Sequence, residues 1–206
     1  MDDPFPNDTS QWADDDNDGY GDNPSGNNPD ACIGSQGFSS QDRFGCLDTD
    51  GDGFSDGDTL WTIANGADMW PNDVTQWVDS DGDGYGDNVS GTNGDTCPTV
   101  NGASTNDRLG CPDSDGDGWS DPSIGWTASD GADAFPSDSS RWADADGDGV
   151  DDAGDDDCPG VEGYSSIDRQ GCPDSDGDGY SDSDDGWTYA DGADVFPNDD
   201  TQWRDS

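Results

Sequence analysis

Apolar positions along this chain follow neither the spacing of a helix nor that of a strand. No stretch carries apolar side chains at helical spacing over enough residues to form an amphipathic α-helix. Pro, Gly, Asn, Asp and Ser interrupt the sequence about every five residues, and these residue types favour turns. The pattern therefore predicts a mostly irregular chain of coil and turns, with β-bridges of only a few residues.

A motif that combines aromatic residues with proline returns at a nearly constant interval. Its first copy, residues 5–12, reads F-P-N-D-T-S-Q-W, and its closing tryptophan recurs after 65, 65 and 61 residues. Self-similarity at such a period is typical of tandem repeats. We predict three repeat units and the start of a fourth, with the boundaries 1–65, 66–130, 131–191 and 192–206.

Between these motifs, the pattern D-x-D-x-D-G-Φ-x-D, in which Φ is an apolar residue, occurs six times. Carboxylates at positions 1, 3, 5 and 9, a main-chain carbonyl at position 7 and a glycine at position 6 are what a loop needs to wrap a calcium ion. We number these loops 1 to 6 in chain order. The predicted ligands, with position 7 acting through its carbonyl, are Asp14, Asp16, Asp18, Tyr20 and Asp22; Asp48, Asp50, Asp52, Phe54 and Asp56; Asp79, Asp81, Asp83, Tyr85 and Asp87; Asp113, Asp115, Asp117, Trp119 and Asp121; Asp144, Asp146, Asp148, Val150 and Asp152; and Asp174, Asp176, Asp178, Tyr180 and Asp182.

Position 12 of these loops is never the glutamate that a calcium-binding helix-loop-helix requires, so the remaining oxygens must come from elsewhere. Aspartates at matched positions are the candidates, and the alternative is that they cap their own turns. The candidates are Asp30, Asp95 and Asp156 before the first cysteine of each pair, Asp68, Asp133 and Asp194 in a G-A-D step, and Asp73, Asp138 and Asp199 after the motif proline.

The six cysteines fall into three pairs that each enclose thirteen residues. This regularity predicts three local disulfides, and a zinc site is the alternative, although the chain has no His and no C-x-x-C. Disulfides persist outside the reducing cytosol, which favours an extracellular or cell-surface location. The predicted pairs are Cys32 with Cys46, Cys97 with Cys111, and Cys158 with Cys172.

The charge of the chain changes how it can fold. With 51 acidic and 5 basic residues the formal net charge is -46, which excludes nucleic acid as a partner. Leu, Ile, Val and Phe number only 20 of 206 residues, so the chain should not fold without counter-ions. We expect six or more calcium ions to supply folding free energy. No apolar run is long enough to span a membrane.

The ends of the sequence also carry expectations. The first four residues, M-D-D-P, lack the basic and apolar regions of a signal peptide, so a secreted parent would carry its signal upstream or have lost it. Asp205 and Ser206 match the first two positions of a seventh loop. This suggests an excerpt from a longer array, or a subunit whose ends meet those of its neighbours.

Three further residue types recur in phase. Arg43, Arg108 and Arg169 precede the second cysteine of each pair and are predicted to hold internal oxygens, the alternative being an adhesion contact. The nine tryptophans are predicted to pack in small clusters between loops, the alternative being a platform for sugars or for a neighbouring fibril. Asn7 and Asn88 begin sequons for possible N-glycosylation.

The loop frame joined to D-x-C-P, as in residues 95–98 followed by G-C-P-D at 110–113, resembles the thrombospondin type 3 repeats. The resemblance implies an irregular chain wrapped around a line of calcium ions, stapled by disulfides and found outside cells. Similar aspartate-rich arrays occur in secreted and surface microbial proteins. The F-P-x-D-x-x-Q-W and tryptophan-threonine segments are not part of that family's pattern.

No constellation for catalysis is present, since the chain has no His, no Lys and no nucleophile beside a base, and we expect no enzyme. The first hypothesis is a structural protein, a calcium-stabilised rod, stalk or fibre whose partners are like chains or further repeats. The alternative is a calcium-dependent adhesin that binds carbohydrate or protein through its tryptophan segments. A calcium store or mineral nucleator is a third possibility.

Overall fold

A computed structural model describes residues 3–205, and the chain is irregular along almost all of them. Within this range the only helical segments are two 3-10 turns, Ile63–Asn65 and Ala128–Asp130, and isolated β-bridges take the place of strands. This confirms the predicted coil-and-turn chain. The expectations that concern Met1, Asp2 and Ser206 lie outside the described residues. The bridges are Gly21 with Pro29, Asp56 with Asp68, Gly86 with Gly94, and Ser123 with Trp126.

The chain divides into two compact units, Met1–Asn101 and Gly102–Ser206. The first contains loops 1 to 3 and the second contains loops 4 to 6. This division falls inside the second of the predicted repeat units, so each compact unit combines a complete repeat with part of another. The repeat boundaries themselves stay a prediction.

The interior of each unit is polar. Among residues 3–205, the only buried apolar side chains belong to cysteine and alanine: Cys46, Ala67, Cys111, Ala132, Cys172 and Ala193. Serines, two glutamines and aspartates fill most of the remaining buried positions. The tryptophan rings are half-buried or exposed, so none of the described ones forms a closed apolar core. Apolar burial therefore supplies little of the folding free energy.

The disulfides lie where the spacing predicted them. Cys32 bonds Cys46 and Cys158 bonds Cys172, with the two Cα atoms 5.1 Å apart in each pair. Cys97 and Cys111 are also in disulfide form, and no cysteine in the described part of the chain is free. No thiol is left to bind zinc. A buried serine closes each disulfide loop: Ser39 Oγ donates to the Arg43 carbonyl and accepts from the Cys46 amide, as do Ser104 and Ser165 in theirs.

Aromatic rings join loops 2, 4 and 6 to the tryptophan motif that follows each of them. The ring centroids are 5.0 Å apart for Phe54 and Trp77, 6.1 Å for Trp119 and Trp142, and 4.8 Å for Tyr180 and Trp203. In all three pairs the ring planes are parallel to within 5°. The tryptophan motif thus packs against the apolar residue at position 7 of the preceding loop.

The three recurring arginines have internal partners. Arg43 lies 5.3 Å from the centre of the Trp61 ring and forms a 2.9 Å ion pair with Asp58. Its guanidinium also donates to Cys32 Sγ at 3.2 Å. Arg169 repeats this arrangement, whereas Arg108 packs on Trp126 and donates to the Ser123 hydroxyl instead of a carboxylate. These contacts favour the internal role over an adhesion contact.

Candidate metal centres

The aspartate at position 1 of each loop fixes the backbone around the candidate metal centre. In loop 1 the Asp14 carboxylate accepts hydrogen bonds from the amides of Asn17 and Gly19, at positions 4 and 6, over 2.7 and 3.1 Å. The same two bonds occur in all six loops. The position-6 glycines have φ between 90° and 101°, a left-handed conformation that side chains rarely adopt, which explains the glycine.

Main-chain amides also fix the carboxylates at positions 5 and 9. Asp18 at position 5 accepts from the amide of Tyr20, two residues ahead, and Asp22 at position 9 accepts from the amide at position 2. Both contacts recur in every loop. Carboxylate oxygens from positions 1, 3 and 5 lie within 4.8 Å of one another in loops 1 to 5, and one further such group is present.

Six further aspartates complete these loops from a distance, one for each loop. The amide of Asp30 donates to the carbonyl of Gly21, position 8 of loop 1, over 2.9 Å, and Asp30 Oδ1 accepts from the Cys32 amide over 2.7 Å. The equivalent pair of bonds fixes the other five, whose position-8 partners belong to loops 2 to 6 in order. We call these six the remote aspartates: Asp30, Asp68, Asp95, Asp133, Asp156 and Asp194.

The second oxygen of every remote aspartate is buried and has no hydrogen-bond partner. The same holds for Oδ2 of the position-3 aspartate in every loop: Asp16, Asp50, Asp81, Asp115, Asp146 and Asp176. A buried carboxylate oxygen without a hydrogen-bond donor destabilises the folded state, because it has lost its hydration and no protein donor replaces it. Each loop thus has at least two buried carboxylate oxygens that a bound cation would satisfy.

The electrostatics of the remote aspartates point to the same cation. Burial, together with the carboxylates of loops 1, 2 and 4 respectively, raises the pKa of Asp30, Asp68 and Asp133 to about 6. Burial also raises the pKa of Asp95, Asp156 and Asp194, each of which faces the carboxylates of its own loop. Each remote aspartate therefore adds a fifth carboxylate to one loop and to no other.

Position 8 of loops 2, 4 and 6 is held by aspartates whose role the sequence reasoning missed. In loop 2 the Asp42 carboxylate accepts from both the amide and the hydroxyl of Ser55. Asp107 and Asp168 bind Ser120 and Ser181 in the same way at loops 4 and 6. The available signal was the recurrence of D-R-x-G-C in phase with a serine at position 8. These aspartates orient the carbonyl that holds the remote aspartate.

The third group of candidate ligands, the aspartates after the motif proline, forms its hydrogen bonds within turns outside the loops. Asp73 accepts from the amide and the hydroxyl of Thr75, and Asp138 and Asp199 make the same contacts with Ser140 and Thr201. Hydrogen bonding to these hydroxyls and amides lowers the pKa of all three carboxyls. Their contacts are those of turn caps, which was the alternative for this group.

The two sequons differ in accessibility. Asn7 is exposed, whereas Asn88 Nδ2 donates to the Thr75 carbonyl at 2.9 Å in a half-buried setting. A glycan on Asn88 would replace a hydrogen of this donor and crowd the contact. The structure thus leaves Asn7 as the more accessible of the two sequons.

Comparison of the chain with protein-family models found no match, and comparison with curated proteins found none either. In the part of the chain that the structure describes, no helix is both long and apolar enough to cross a membrane. The geometry itself defines the class of site: repeated aspartate cages, each able to hold a metal ion, in a disulfide-stapled chain.

Proposed function

We propose that this protein is a calcium-binding structural repeat protein of the extracellular space, organised like thrombospondin type 3 repeats. The observation that carries the proposal is that each remote aspartate presents to its loop a buried oxygen without a hydrogen-bond partner. Five carboxylates and one main-chain carbonyl give each loop six ligand groups. Six metal centres then take the place of a hydrophobic core in this protein.

Calcium fits this donor set better than other ions. All the donors are oxygens, and calcium accepts six to eight of them in flexible geometry, whereas magnesium requires a tight octahedron and retains its waters. Zinc prefers nitrogen and sulfur ligands, and the described thiols are all oxidised. The expected affinity is about 0.1 to 1 mM per site, as for extracellular calcium modules.

The arginines, tryptophans and carboxylates that an adhesin or an enzyme would use have internal partners here, as a structural role requires. The arginines and several tryptophans engage one another, and the carboxylates are held as loop ligands or turn caps. We assign no catalytic role to the chain. In the proposal, calcium makes each unit rigid, so that tandem units form a rod, stalk or fibre in contact with like chains or further repeats.

One observation favours the adhesin alternative. A cavity of about 240 Å³ lies beside the Phe54 and Trp77 rings and is lined also by Ile63, Met69 and Val78. Half-buried aromatic rings of this kind can stack on a sugar ring. A glycan-binding screen with and without chelator separates the two roles, since a pure spacer binds no glycan in either condition.

Small-angle scattering during a calcium titration tests the proposal. The full chain, with its disulfides intact, is taken from excess chelator into millimolar calcium at fixed ionic strength, with magnesium as the control. We expect a change from an expanded coil to a stiff particle in calcium alone. A profile that stays coil-like at every calcium concentration would overturn the proposal and favour an acidic store.

A further inference from the structure

The six loops differ at the second oxygen of the position-5 carboxylate. In loop 1, Asp18 Oδ2 accepts a hydrogen bond from the Gly37 amide at 3.2 Å. In loops 2, 4 and 6 the corresponding oxygens of Asp52, Asp117 and Asp178 are buried and accept none. Each of these three loops therefore presents one more uncompensated oxygen than loop 1 does.

Loops 2, 4 and 6 also have a further carboxylate behind position 8. Asp42, Asp107 and Asp168 bind the amide and the hydroxyl of the serine there, which places one more negative charge behind each of these loops. In loop 1 the neutral amide of Gln11 lies against position 8 instead. Position 8 therefore has a neutral neighbour in loop 1 and a charged one in loops 2, 4 and 6.

The backbone of loops 2, 4 and 6 is also more firmly anchored. The carbonyl of Gly53 in loop 2 accepts two amides of the disulfide loop, Ser40 at 2.8 Å and Gln41 at 2.9 Å. Gly118 and Gly179 accept two amides each in loops 4 and 6. Within residues 3–205, the matching carbonyl of Gly19 in loop 1 has no such pair. Ligand charge and site rigidity are the two properties that tune calcium affinity.

From these three differences we infer that loops 2, 4 and 6 are high-affinity calcium sites that fill before loop 1. Each of them begins two residues after the second cysteine of a pair, so the first ions bind beside the disulfides. Loop 1 fills after these three loops. This inference rests on the proposed function, and we expect the dissociation constants of the two classes to differ by about tenfold.

Calcium titration of the full oxidised chain by calorimetry, with a chromophoric chelator as competitor, tests this order. The matched variants are Asp50→Ala in loop 2 and Asp16→Ala in loop 1, because both carboxylates occupy position 3 and make the same bond to the position-5 amide, over 3.1 and 3.2 Å. Asp50→Ala should remove one ion from the tight phase. Asp16→Ala should leave the tight phase whole and remove one ion from the weak phase.

A second measurement avoids any change to a ligand. Terbium emission sensitised by Trp119, which is position 7 of loop 4, is obtained as the difference between the wild-type chain and Trp119→Phe. It should saturate within the tight phase. Six equivalent sites, or a tight phase shortened by Asp16→Ala, would overturn the inference alone. A chain that binds no calcium at all would overturn the proposed function as well.

Discussion

Loops 1 and 5 open the first and third repeats, and the chain secures their position 8 with different residues. In loop 1, Gln11 is buried against Gly21; it accepts from the Asn23 amide and donates to the carbonyls of Asn23 and Asn27 over 3.0 to 3.2 Å. A Cβ placed on Gly21 would lie 2.2 Å from Gln11 Oε1. The Gln11 side chain can therefore occupy this place only because position 8 is a glycine.

In loop 5 both the glycine at position 8 and the glutamine of the tryptophan motif are replaced by other residues. Asp151 stands at position 8 and accepts from the amides of Trp142 and Ala143 at 3.2 Å. Arg141 stands where loop 1 has its glutamine, and it turns outward to Asp138 at 2.9 Å and to the Phe135 ring at 4.3 Å. Gln11 beside Gly21 in loop 1 and Asp151 itself in loop 5 are thus alternative ways to join position 8 to the preceding tryptophan motif, and the remote aspartate keeps its place in both.

Calcium removal should erase the difference between the two loops. Excess chelator leaves five carboxylates at each loop without a counter-ion, and the interior has too little apolar surface to hold the chain together. We expect loss of the near-ultraviolet circular dichroism of the stacked tryptophans and a gain in hydrodynamic radius. Magnesium in place of calcium should restore little of either signal. A full signal in chelator would contradict this expectation.

Gly21→Ala should damage loop 1 and leave loop 5 intact. The new methyl group would displace the Gln11 amide, and overpacking of this kind costs about 1 to 3 kcal/mol. Urea unfolding at fixed calcium measures the loss, with Gly154→Ala as control, because a Cβ at Gly154 meets nothing within 4 Å. The double variant Gln11→Ala/Gly21→Ala should lose less than the sum of its single changes. Strict additivity would show that the two residues do not interact.

Loss of the remote aspartate should affect both loops alike. Asp30→Asn and Asp156→Asn each remove one negative oxygen from a site while the turn remains, so we expect calcium affinity at that site to fall about tenfold. Asp73→Asn is the control, because Asp73 caps a turn and contacts no loop. Calorimetric titration measures the change. Equal effects of Asp30→Asn and Asp73→Asn would remove the remote aspartates from the ligand set.

Arg141→Ala should have the smallest effect. Its ion pair with Asp138 lies at the surface, where such pairs contribute little, and its packing on Phe135 is partly exposed. The urea midpoint should stay within experimental error of the wild-type value. Gln76→Ala is the contrasting change in loop 3, because the Gln76 amide is buried and makes three hydrogen bonds. A large loss for Arg141→Ala would show that the arginine does the work of the glutamine.

The sequence predicted the loops well because each is a local structure. The spacing of carboxylates and glycine determines the turn, and the bonds from Asp14 to the amides of Asn17 and Gly19 stay within the loop. The remote aspartates were harder to separate from other candidates. Asp68 and Asp73 are both aspartates that accept from an amide two residues ahead, and only burial and the bond to Ser55 distinguish them.

Tryptophan packing illustrates what the sequence could not predict. Large rings were expected to provide the buried area, but Ala67, Ala132 and Ala193 occupy the interior and the rings stack along its edge. Segments that share a metal centre must approach closely, and only small side chains fit between them. The position-8 contacts of Asp42 and Gln11 depend on chain segments brought together from a distance, and the pattern within a single loop does not reveal them.

The polar interior has a consequence for how the protein responds to temperature. The heat capacity change of unfolding comes mainly from apolar surface, and typical proteins show about 12 to 15 cal/mol/K per residue. With only alanine and cysteine as buried apolar side chains in the described part of the chain, the value here should lie well below that range. Scanning calorimetry at saturating calcium measures it directly. The stability curve would then be less curved than that of a protein with an apolar core, and the calcium concentration would set its height.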